Sequence, residues 1–85
     1  MFLHLGQDTV IRTDQIIGVF DLDNTTVSVH SRNFLTRAQK AGRVKTVSYE
    51  LPKSFVVCLE ADGQETVYLS QLSTQTLLGR YKSIG

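Results

Sequence analysis

Ser28 to Lys45 reads SVHSRNFLTRAQKAGRVK, the one long stretch of helical periodicity in the chain, and it holds five bases and no acid. At 3.6 residues per turn, Val27, Phe34, Leu35, Ala38 and Ala41 share one side and Arg32, Thr36, Gln39, Lys40 and Arg43 the other. The formal charge of the whole chain is +1, so the residues outside this stretch carry −4. Charge is therefore segregated. Around the helix the sequence is short, β-rich and punctuated. The pattern predicts an α+β fold: a small, mostly antiparallel sheet packed on one amphipathic helix, with a short C-terminal helix.

Eighty-five residues make one domain, spanning 1–85. So small a chain buries only about 60 to 65% of the surface it exposes when unfolded, and association between copies would supplement its core. The single cysteine, Cys58, lies in the apolar run Phe55 to Leu59. That setting suits a buried, unreactive thiol in a reducing compartment. No apolar run approaches the length of a signal h-region or a membrane span, so a cytoplasmic protein is expected.

Phe2 to Leu5 alternates as a strand, with Leu3 and Leu5 on one face. Thr9 to Arg12 and Gln15 to Phe20 are two further extended pieces, and their close spacing predicts a three-stranded antiparallel meander. Asp21, Asp23, Asn24 and Thr25 end the third strand. With Ser28 they are candidate caps for a helix over 28–41, and Gly42 is its stop. Val44 to Ser48 is a short strand, and Lys53 to Glu60, apolar on both faces, a central one. Ala61, Asp62 and Gly63 fit a three-residue hairpin loop that sets Val57 opposite Val67 and Phe55 opposite Leu69. A two-residue loop would oppose Glu60 and Glu65, an unfavourable like-charge pair. Glu65 to Ser70 is the last strand, and Ser73 caps a helix from Thr74 to about Arg80, with Leu77, Leu78 and Tyr81 on its apolar side.

IIGVFDLDNTTVS resembles the first motif of haloacid dehalogenase-like phosphatases, in which Asp21 and Asp23 would be nucleophile and acid. Phosphoryl transfer also needs a cation and a downstream metal-holding acidic pair. No adjacent acidic pair follows, so capping acids at a turn are preferred and no enzyme is expected. An EF-hand counted from Asp21 fails at Thr26 and Arg32, where glycine and a bidentate Glu are required. His4 and His30 have no partner at ligand spacing. Neither a metal nor a cofactor is expected.

A basic face without acids reads as a phosphate footprint. Its competitor is an ordinary solvated helix face. The candidate DNA-contacting residues are Arg32, Arg37, Lys40, Arg43, Lys45 and Lys53, with Arg37 nearest the apolar boundary. One protomer with so few phosphate contacts would hold DNA weakly, and an assembly that repeats the patch would multiply them.

MFLHLGQDTVIRTDQIIGVFDLDNTT, RAQKAGRV, ELPKSFVV and VYLSQLSTQTLLGRY together resemble the Rem family of extracellular matrix regulators of Firmicutes, on its RemB side, over nearly the whole chain. The resemblance implies a non-enzymatic cytosolic regulator of biofilm matrix operons. Its RemA relatives are DNA-binding proteins that assemble into rings. RemA-like sequences carry adjacent arginines for DNA in the loop after the post-helix strand. Here Leu51 and Pro52 stand in their place, followed by Lys53. A further family base falls on Gln15, with Arg12 the nearest cation. Two functions follow as alternatives: a homo-oligomeric DNA-binding regulator, or a ring-forming scaffold with little DNA affinity that acts through a partner such as a RemA-like paralogue.

Overall fold

The computed structural model describes residues 1–6, 9–22, 29–48 and 50–84, with side chains for all of these but 29–32, 83 and 84. Strands β1 (Phe2–Gly6) and β2 (Thr9–Arg12) form an antiparallel ribbon. After a 3-10 turn at Thr13–Gln15 come β3 (Ile16–Asp21), helix α1 (Val29–Lys40), β4 (Val44–Thr46), β5 (Ser54–Leu59), β6 (Glu65–Ser70) and helix α2 (Thr74–Ile84). The second sheet has the order β3-β5-β6-β4. The α+β class and the antiparallel bias hold, since of the described strand pairings only β4 with β6 is parallel.

The expected meander of the first three strands does not form. β3 leaves the ribbon and pairs with β5, Phe20 opposite Phe55 and Val19 opposite Val56. β5 is apolar on both faces and is buried as a central strand, so the backbone groups along both of its edges need partners, and β3 supplies them on one side. β3, β6 and β4 then run the same way, because β5 opposes both β3 and β6 while β4 parallels β6. Helix α1 is the crossover that parallel strands require, and it carries the chain from one edge of the sheet to the other.

Each face of the four-stranded sheet is covered. On one, Ala38 of α1 is buried with Phe55, Val57 and Val67, and Phe34, Leu35, Val44 and Leu69 pack around them. On the other, Leu3, Leu5 and Ile11 of the ribbon and Leu77 of α2 meet Val47, Val56 and Cys58. Both expected helices are present, the amphipathic α1 on one face and the C-terminal α2 joined with the ribbon in a layer on the other. Ser70 Oγ donates to the Leu5 carbonyl at 2.6 Å and Ser54 Oγ to that of Leu72 at 2.8 Å, which satisfies two buried hydroxyls and ties that layer to the sheet.

The hairpin follows the three-residue loop. Glu60 N–H donates to the Gln64 carbonyl, Gly63 takes φ +84°, and Val57 faces Val67 with Phe55 facing Leu69. Helix α2 is capped by Ser73, whose Oγ accepts from Thr76 N–H at 3.1 Å. It continues to Ile84 rather than stopping near Arg80. Leu77 is buried, whereas Leu78 and Tyr81 are 54% and 49% exposed, so the apolar side expected of α2 is only partly covered.

Candidate nucleic-acid interface

The helix that organises the candidate surface ends as its sequence requires. Gly42 adopts φ +71°, its N–H donates to the Gln39 carbonyl, and Arg43 N–H donates to that of Ala38 at 3.0 Å. This Schellman arrangement turns the chain directly into β4. At the other end, the candidate caps Asp23, Asn24, Thr25 and Ser28 lie outside the described residues.

With Ala38 buried against the sheet, the opposite side of α1 presents Asn33, Thr36, Arg37, Gln39 and Lys40 to solvent. Arg37 and Lys40 are three apart and therefore neighbours on the helix surface. Neither makes an ion pair among the described residues, whose ion pair is Arg12 to Asp14 at 2.8 Å. Both also lie in the last turn, where cations offset the negative end of the helix dipole. Arg32 stands on the same helix, but its side chain is outside the described set.

The other three candidates diverge from this pair. Arg43 is half-buried, and its Nη1 donates to the Glu65 carbonyl at 3.3 Å. Its backbone carbonyl accepts from Val67 N–H at 2.9 Å, so this arginine clamps β4 to β6. Lys45 is exposed, with its Nζ 5.8 Å from the Tyr68 ring centroid. Val44 packs on the α1 side of the sheet and side chains alternate along a strand, so Lys45 lies on the opposite face. Lys53 is exposed just before β5. Its N–H donates to the Ser70 carbonyl, at the far end of β6 from Arg43. The structure thus joins Arg37 and Lys40 and spreads Arg43, Lys45 and Lys53 around the sheet.

No family profile matches the chain. It is 38% identical over 80 residues to Extracellular matrix regulatory protein B of Bacillus subtilis (strain 168), an alignment covering 94% of this chain and 89% of that protein. The chain belongs to the RemB family.

In this RemB-family chain the loop before β5 is at the surface, Leu51 being 84% exposed and Pro52 half-buried. Leu51 therefore presents an apolar side chain to solvent where the family resemblance leads one to expect a base. Among the described residues no cluster of three or more His, Cys, Asp or Glu residues could hold a metal ion, and no helix is long and apolar enough to cross a membrane. Cys58 is buried and unpaired. Desolvation, and secondarily the charge of Glu60, push its thiol up to about 11, which opposes thiolate chemistry at neutral pH.

Sequence reasoning missed two features here. Arg80 Nη1 donates to the His4 carbonyl at 3.2 Å and fastens α2 to β1; nothing local signals that contact. A groove of about 270 Å³ runs between β3 and α2, lined by Leu3, Ile16, Val19, Leu77, Leu78 and Tyr81 with Thr13 and Thr74. Its signal was present in the two-sided apolarity of β3 and the unspent apolar side of α2.

Proposed function

We propose that this protein is a non-enzymatic, homo-oligomeric regulator of extracellular matrix genes that binds DNA through its phosphates. The relative's name supplies the regulatory role. The observation that carries DNA binding is the exposed Arg37 and Lys40 pair on the outer face of α1, free of ion pairing among the described residues. Arg32 belongs to the same helix, and Arg43, Lys45 and Lys53 lie apart from the pair, around the sheet. Contacts of this kind position a protein on DNA without reading bases, so affinity comes from repetition of the surface across an assembly.

Anisotropy titration of a labelled duplex of arbitrary sequence tests this. Wild-type protein should bind at low salt, and Arg37→Glu with Lys40→Glu should weaken binding at least tenfold with the fold intact by circular dichroism. Unchanged affinity in that variant would contradict it.

A second reading is favoured by the dispersion of Arg43, Lys45 and Lys53: a scaffold that assembles and acts through a protein partner, such as a RemA-like paralogue. It expects assembly without measurable affinity for DNA.

A further inference from the structure

The layer built from the ribbon and α2 contains no acid in any of its three elements. FLHLG, TVIR and TQTLLGRYKSI carry His4, Arg12, Arg80 and Lys82. In a chain of formal charge +1, this is a second segregation of base from acid, separate from the one on α1. Asp14, just after β2, pairs with Arg12 at 2.8 Å. Arg80 and Lys82 have no acidic partner among the described residues.

Strand alternation sorts the ribbon into two faces. Leu3, Leu5 and Ile11 are buried in the core, whereas Phe2, His4, Val10 and Arg12 are exposed on the outside. Phe2 is 60% and Val10 42% exposed. Phe2 is the register partner of Arg12, and Val10 of His4, so apolar and basic side chains are interleaved across the two strands. Helix α2 adds to this face: Arg80 Nη1 donates to the His4 carbonyl at 3.2 Å. Lys82 is exposed and lies five residues beyond buried Leu77, which turns it roughly 140° around the helix, away from the core.

We propose that this outer face of the ribbon and α2 is a peripheral binding surface for an anionic phospholipid bilayer. Phe2 and Val10 enter the boundary between headgroups and acyl chains, and Arg12, Arg80 and Lys82 meet the lipid phosphates. The mixture of side chains selects this partner. Duplex DNA would engage the bases and leave Phe2 and Val10 in water. A single strand would stack on an aromatic ring, but valine offers it nothing comparable. A bilayer rewards both kinds of group at once, since apolar side chains partition into the interface while anionic headgroups attract the cations. So few groups give weak, reversible and salt-sensitive attachment. Because α1 covers the opposite face of the four-stranded sheet, a bilayer on this side leaves Arg37 and Lys40 accessible, and the inference stands independently of DNA binding.

Flotation of the full chain with vesicles tests it, using phosphatidylcholine alone or mixed equally with phosphatidylglycerol. The protein should float with the mixed vesicles at low salt and stay behind with phosphatidylcholine alone. Phe2→Ser and, separately, Lys82→Glu should weaken partitioning by about fivefold or more, with the fold intact by circular dichroism. Arg37→Glu with Lys40→Glu should leave it unchanged. The chain has no tryptophan, so Phe2→Trp provides a single reporter whose emission should shift to the blue on the mixed vesicles. Absence of flotation, flotation that survives both ribbon-layer substitutions, or loss in the α1 variant alone would overturn the proposal. An unshifted Phe2→Trp emission, with the protein displaced from vesicles by a single-stranded oligonucleotide, would overturn it in favour of a nucleic-acid surface.

Discussion

Lys45 and Tyr68 are register partners across the parallel β4–β6 pair, and the lysine Nζ lies 5.8 Å from the tyrosine ring centroid. A cation over an aromatic face at an exposed site is worth about 0.5 to 1 kcal/mol. Lys45→Ala should therefore lower urea-unfolding stability by about that amount, and Tyr68→Leu should abolish the effect of Lys45→Ala in a double-mutant cycle. Because Lys45 faces away from α1, Lys45→Ala should cost less DNA affinity than alanine at both Arg37 and Lys40.

Gly42 stops α1 with φ +71°, and a Cβ there would meet nothing within 4 Å. The cost of Gly42→Ala is thus confined to the backbone, about 1 to 2 kcal/mol. Gly42→Asn should cost less, since asparagine tolerates the left-handed region. Thermal unfolding of the two variants checks the order.

Much of this part of the molecule was legible in the sequence because local chemistry decides it. Gly42 and Gly63 mark two left-handed turns, and the like charges of Glu60 and Glu65 select the hairpin register. What sequence could not reveal is which distant strand a segment joins. β3 pairs with β5, some three dozen residues away along the chain, because a strand buried on both faces needs backbone partners along both edges. Nothing local to Ile16 or Phe20 names that partner. The candidate site was legible as a list of bases and not as a surface, since strand alternation sends Lys45 to one face while α1 holds Arg37 and Lys40 over the other.

Ser73 Oγ accepts the Thr76 N–H at 3.1 Å and starts the helix that delivers Leu77 to the core. Ser73→Ala should destabilise the protein by about 1 kcal/mol, lowering its melting temperature by about 4 to 8 °C. Ser73→Asp should retain most of the stability. Calorimetry distinguishes the two.

Cys58 gives a pH dependence of definite sign. Its thiol rises from 9.0 to about 11 on folding, so the folded chain holds its proton more tightly than the unfolded one. Stability should be fully present below pH 9 and fall as pH rises toward 11, by roughly 1 to 3 kcal/mol in all. Tyr68, raised by burial first and then by Glu60 and Cys58, acts in the same direction at the alkaline end. Urea unfolding across this range should slope downward, and Cys58→Ala should flatten most of the slope.

The account stands most directly on the salt dependence of DNA affinity. For wild-type protein the logarithm of the association constant should fall linearly with the logarithm of salt concentration, with a slope of about −0.9 per neutralised phosphate. Removing Arg37 and Lys40 together should make that slope shallower by about 1.8 for each copy that engages the duplex. A wild-type affinity that does not change with salt, or a slope identical in the double variant, would contradict phosphate binding by α1.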